Sequence, residues 1–168
     1  MSRRRDSSPS SPAQPAESIS TSGAVRVGRR LEGRHPALGN SFGALNTPPY
    51  IHLDGDDRTG SAQGGENMHV NFERPELIKR VLIFAMIYEG APNWAAVDGV
   101  VTLTQPSGPE IEVRLDSPNN GARICAIAML QSTGQGVTVQ RLVEYVNGSQ
   151  SDLDRQYGWG MQWQAGRK

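Results

Sequence analysis

The chain has 168 residues, 17 basic against 17 acidic side chains, a single cysteine and a mean hydropathy of −0.50. Balanced charge speaks against a dedicated nucleic-acid binder, no apolar run approaches the ~20 residues of a membrane helix, and the N-terminus lacks the apolar stretch of a signal peptide. Lone Cys125 excludes an internal disulfide framework and fits a reducing, cytoplasmic compartment.

The charge balance hides an asymmetry. Residues 1–48 hold seven arginines against Asp6, Glu17 and Glu32, whereas the remainder holds ten basic and fourteen acidic groups, so a basic leader precedes an acidic domain. Residues 1–30, with Ser7–Pro12 and Thr21–Gly23, have almost nothing apolar to bury and are expected to form a disordered Ser/Pro/Arg-rich tail. Residues 31–48 space Leu31, Leu38, Phe42 and Leu45 with glycines and Pro36, an irregular lead-in lying against the domain that occupies 49–168.

From Tyr50 the pattern becomes short strands between turn residues. Met68, Val70 and Phe72 alternate with His69 and Asn71, which separates an apolar from a polar face. Val81–Tyr88 is continuously apolar and suits a central strand buried on both faces. Glu76–Arg80, after Pro75, suggests a helical turn. Val100–Thr104 and Ile111–Leu115 form a predicted hairpin across Pro106–Pro109, and Asn120-Gly121 predicts a second tight hairpin before the apolar run Ala122–Leu130. Val137–Val146 follows, then a short helical turn over 149–156, and Tyr157–Trp163 alternates large residues with glycine or glutamine as if to close a sheet edge. About seven or eight strands at this spacing predict a mainly β chain, an antiparallel β-sandwich.

The unusual chemistry lies in Leu53-Asp54-Gly55-Asp56-Asp57-Arg58-Thr59-Gly60, which runs on to Gly64-Gly65-Glu66-Asn67. Carboxylates crowded this closely repel unless a cation sits among them, and calcium takes six to eight oxygens from such groups and from inward-turned carbonyls. The spacing is not that of an EF-hand, because Thr59 and Gly65 stand where that loop needs glycine and glutamate. A plainer account is an acidic surface turn in which aspartates hold local amides and Arg58 pairs with one of them. Glu89 leaves the central strand directly into a loop and would join the first cluster if the strand ends meet, with Asn93 adding a carbonyl oxygen. The three histidines are far apart, without zinc-ligand spacing, and Cys125 reads as a small buried hydrophobe. No nucleophile motif accompanies the carboxylates, so a hydrolase using Glu89 or an aspartate pair as acid and base ranks last.

The Gly55–Gly60 loop, the glycine-rich stretch ending in Glu66, the buried strand into Glu89, Asn93-Trp94 and Tyr157-Gly158-Trp159-Gly160 together resemble the TerD/TerA-type tellurium-resistance family, also called calcium-binding bacterial stress proteins. The resemblance covers roughly residues 49–165 and is closest to the C-terminal half of TerA-like members. It implies a β-sandwich that binds calcium through loops at one end and acts in resistance to tellurite and other stress without an enzymatic reaction. It places Asp56 and Asp57 as metal-oxygen donors, with Glu66 and Glu89 at the family's flanking acidic positions; Asp54 is added from proximity. It also implies partners among other stress and tellurium-resistance proteins, at the inner face of the membrane, and homo- or hetero-oligomers. The family's opening strands have no counterpart in residues 1–48, which implies a shortened domain or an edge covered by another chain. The competing function is a metal-free interaction β-sandwich that assembles with other chains.

Overall fold

The computed structural model describes residues 17–22 and 26–31 as backbone, and residues 42–54, 66–87, 90–105 and 108–163 with their side chains. Its strands are β1 (Glu17–Ser22), β2 (Arg26–Leu31), β3 (Gly43–Ala44), β4 (Ile51–Leu53), β5 (Asn67–Val70), β6 (Arg80–Met86), β7 (Gly99–Thr104), β8 (Ile111–Leu115), β9 (Ile124–Ser132) and β10 (Val137–Val146). Two helices, α1 (Trp94–Val97) and α2 (Gln150–Tyr157), and a 3-10 turn at Pro75–Leu77 complete the described elements. The strands form a six-stranded sheet ordered β3-β4-β5-β1-β7-β8 and a four-stranded sheet ordered β10-β9-β6-β2, with the pairings antiparallel.

Period-two alternation builds the core between the sheets. Ile51, Met68, Val70, Val101, Val113 and Leu115 come from the larger sheet, and Val81, Ile83, Ala85, Cys125, Ile127 and Leu130 from the smaller one. β6 is buried on its other face as well, which explains its unbroken apolar sequence. There Leu82 and Phe84 join Ile124, Ala126, Val146 and Leu153 in a second cluster, with Met86, Met129, Leu142, Tyr157 and Trp159 around it. Leu153 and Tyr157 bring α2 into this outer cluster.

One irregularity runs across the smaller sheet. Between Ile83 and Phe84 of β6 the facing β9 passes from Ala128 to Ala126, so Ile127 is an extra residue, and β10 adds another between Arg141 and Glu144. The bulge lets Ile127 and Ala128 both join the central core. In β10 it leaves Val143 at φ 57°, a strained backbone for a β-branched side chain.

Several sequence expectations need correction. The tail expected over 1–30 does not hold where the structure describes it, since β1 and nearly all of β2 fall within it; of the lead-in expected over 31–48, residues 32–41 lie outside the described residues, and 42–48 holds only the two-residue β3 among bends and turns. The entropy argument treated that segment as isolated, whereas β1 is ordered by backbone pairing on two sides, with β5 and with β7. Each sheet therefore contains one strand from residues 17–31 of this chain. Asn120-Gly121 does not close a hairpin, because β8 and β9 belong to different sheets and the turn carries the chain between them. Tyr157–Trp163 is not a strand either. Tyr157 ends α2, and Gly158 takes φ 64° at the helix C-terminus, so the glycine there serves a cap and not a sheet.

The helical turn expected over 149–156 is present as α2. The Asp152 carboxylate accepts from the Ser149 amide at 2.7 Å and from its hydroxyl at 2.8 Å, closing the first turn. Those hydrogen bonds hold the Asp152 carboxyl below the usual range.

Candidate functional site

The acidic loop is anchored on neighbouring strands. Leu53 is the register partner of Met68, and one residue on, the Asp54 amide donates to the Asn67 carbonyl at 2.9 Å. The chain therefore leaves the larger sheet at Asp54 and returns at Glu66 beside its point of departure. Glu66 is buried at 3% exposure, while the Asp54 side chain is 46% exposed.

Asp54 is held by two imidazoles. His52 and His69 are register partners across β4 and β5, and Asp54 lies two residues beyond His52. Its Oδ2 is 3.1 Å from His69 Nε2, and its Oδ1 is 3.4 Å from His52 Nδ1. Sequence spacing hid this group, because seventeen positions separate two histidines that the strand pairing sets face to face. Among the described residues no three His, Cys, Asp or Glu side chains form a set that could hold a metal ion.

The second acidic turn emerges at the same end of the sandwich. Ser20 of β1 is the partner of both Asn67 and Thr102, so β5 and β7 run in the same direction and the start of β7 reaches three residues beyond that of β5. β7 follows α1, whose Trp94 indole N–H donates 2.6 Å to the Ala122 carbonyl just before β9 begins, and Ile124 there pairs with Met86 at the end of β6. The flanks of both turns, Asp54 and Glu66 for the first and Ile87 and Gly90 for the second, thus share one end. Asp56, Asp57 and Glu89 themselves lie outside the described residues.

Arg123, which sequence reasoning passed over, brackets the second turn. Its Nε donates to the Ile87 carbonyl at 3.2 Å and its Nη1 to the Ala91 carbonyl at 3.3 Å, while its own carbonyl accepts from the Ile87 amide at 2.9 Å. An arginine in a loop before an apolar strand carries no sequence signal of that role. Asn93 is used differently from the expectation. Its Oδ1 accepts from the Ala96 amide at 2.9 Å as the cap of α1, and its Nδ2 donates to Asn120 Oδ1 at 2.7 Å and to the Pro118 carbonyl at 3.2 Å. That oxygen serves the helix start.

A hard cation would take carboxylate oxygens, and the described loop stems carry two such groups, exposed Asp54 and buried Glu66. The described part of the set is two carboxylates, one of them shared with imidazoles, short of the oxygens calcium requires.

Cys125 stands apart from this end chemically. It is fully buried, and burial first, then the charge of Glu144, push its thiol up to about 12. The thiolate is the reactive form, so at pH 8 alkylation of the folded chain should be about a hundredfold or more slower than in denaturant. Rapid modification of the native protein, read by intact mass, would show that β9 opens locally.

No family model matches the chain. It is 46% identical over 132 residues to a "Tellurium resistance protein TerA" from Alcaligenes sp, a match covering 79% of this chain and 39% of that relative. The chain thus spans about two-fifths of the length of the curated relative it matches. Two crystal structures share the fold. Protein SAV2460, of unknown function, superposes with a TM-score of 0.59 at 13% identity, covering 89% of this chain and 99% of that one. A homologue of the telluride resistance protein TerD, SCO6318 from Streptomyces coelicolor A3(2), superposes with a TM-score of 0.55 at 12% identity, covering 81% of this chain and 92% of that one. With an antiparallel sandwich of this shape and 46% identity to TerA over 79% of this chain, the chain belongs to the TerD/TerA-type tellurium-resistance family.

Proposed function

We propose that the chain is a calcium-binding stress-response module of the tellurium-resistance type, cytoplasmic, acting by binding and not by catalysis. The similarity to TerA over 132 residues carries this reading. It is supported by an acidic loop whose two stems, Asp54 and Glu66, are clamped together at the end of the sandwich from which the Glu89 turn also leaves. Asp54, Asp56, Asp57, Glu66 and Glu89 supply the oxygens in this proposal, and other tellurium-resistance proteins, at the inner face of the membrane, are the partners. Among the described residues no helix is long and apolar enough to cross a membrane.

Calcium that binds only the folded state must stabilise it. At a hundred times Kd the gain is about 2.7 kcal/mol. For a domain of this size that raises Tm by about 5–10 °C against a chelator control. The shift should disappear in the Asp56→Asn/Asp57→Asn double variant. An unchanged melting temperature at millimolar calcium would remove the ion from the proposal and leave the second reading, a metal-free interaction sandwich. One observation favours that second reading: both oxygens of Asp54 already face histidine nitrogens.

A further inference from the structure

Sheets that end in open strands invite pairing with another chain, and natural edges are blunted by shortness, bulges or repelling charge. Three of the four edge strands here are blunted. β3 has only two residues, β10 is broken by the bulge at Val143, and β2 carries Arg26, Arg29 and Arg30, which repel a second copy of themselves. β8 differs. It pairs with β7 in an unbroken register from Ile111 to Leu115, contains no proline or lysine, and no described strand lies on its outer side.

We infer that β8 is a self-pairing edge through which two copies of this chain form an antiparallel, two-fold dimer, joining their larger sheets into one. The charges select the register. Two identical strands pairing antiparallel on a common face can be centred on Glu112, on Val113 or on Arg114. Centred on Glu112, carboxylate meets carboxylate, and the Glu110–Arg114 pairs that this register would set opposite need a residue beyond the strand end. Centred on Arg114, guanidinium meets guanidinium, and Glu112 meets Asp116, likewise beyond the strand. Centred on Val113, Glu112 of each copy faces Arg114 of the other, twice over, and unlike cross-strand pairs stabilise where like pairs repel.

The same register brings Ile111 opposite Leu115 of the second copy, covering a side chain that is 43% exposed at the free end of the strand. Arg114 is available for this. Its present partner, Asp98 at 3.2 Å, forms a pair in which both side chains are mostly exposed, and such pairs are weak and easily exchanged. Glu110 and Asp116, which would be next to meet, lie beyond the ends of β8, so repulsion there limits the pairing to the five strand residues. At the far end of the strand the Tyr145 hydroxyl of β10 accepts from the Asp116 amide at 2.9 Å, which fixes the chain just past β8.

The test is sedimentation of the full chain over a concentration series, without added calcium so that its result is independent of the ion. The wild-type chain should pass from monomer to dimer as concentration rises. Glu112→Arg alone and Arg114→Glu alone each turn both cross-copy pairs into like-charge pairs, and each should raise the half-dimerisation concentration about tenfold or more. The two single variants, mixed, should form a mixed dimer, and the Glu112→Arg/Arg114→Glu double variant should dimerise like the wild type. Far-UV circular dichroism on each variant shows that it is folded. A wild-type chain that stays monomeric at every concentration, or single variants that dimerise as it does, would overturn the proposal, as would a failure of the mixed pair to associate.

Discussion

Replacing Trp94 with alanine should lower the stability of the chain by about 3–5 kcal/mol, among the largest losses any single substitution here can produce. The indole is fully buried at the start of a four-residue helix too short to be stable alone. Its ring packs against Tyr145 with centroids 6.3 Å apart, and its N–H donates to the Ala122 carbonyl at 2.6 Å. One side chain thereby ties the β6–β7 connection to the β8–β9 connection and to β10. Alanine leaves a cavity and an unpaired buried carbonyl, both destabilising. Phenylalanine keeps most of the volume and loses only the hydrogen bond, so Trp94→Phe should cost about 1–3 kcal/mol. Urea unfolding of both variants separates packing from the N–H. Equal losses in the two would mean that the hydrogen bond, and not the ring volume, fastens this end. A loss below about 1 kcal/mol in Trp94→Ala would show that the connections are held without it.

What the sequence made legible follows from burial. β6 and β9 are interior strands, apolar on both faces, and their runs announce themselves without any partner in view. The β7–β8 hairpin and α2 were legible for a local reason, since turn residues and caps act within a few positions. β1 and β2 were not. Ile19 and Val27 sit among serines and arginines, and the force that orders these segments is pairing with strands about fifty to eighty residues away. Composition measures what a segment can bury, not which backbone it can pair with.

The candidate site divides along the same line. Crowded aspartates flagged the loop from local sequence alone, and the antiparallel β4–β5 pair accounts for why Asp54 and Glu66 end beside each other. The His52–Asp54–His69 group needed that pairing to exist at all, since register brings the imidazoles together and spacing does not. Arg123 is the extreme case. Two of its contacts are to main-chain carbonyls, which every residue possesses, so no pattern of side chains could have pointed to them.

The outer apolar layer yields the second large effect. Leu82, Phe84, Ile124 and Ala126 face away from the central core and would form an exposed apolar patch without α2, whose Leu153 is fully buried among them. Leu153→Ala should therefore cost about 2–5 kcal/mol if α2 unfolds only together with the sheet. The helix has other fastenings. Glu144 of β10 accepts from the Tyr157 hydroxyl and from Gln156 Nε2, and Arg80 of β6 donates to the Tyr157 carbonyl at 3.3 Å and stacks 3.9 Å from the Trp159 ring. These tie α2 to two strands, so we expect helix and sheet to unfold as one unit and the full loss to appear in urea melts. Limited trypsin digestion distinguishes the other outcome, because Arg155 is exposed on α2 yet a folded helix resists cleavage. If Leu153→Ala leaves the global transition in place but cleavage after Arg155 becomes fast, α2 is a separately melting cover, and the layer beneath it is a sticky surface exposed whenever the helix lifts.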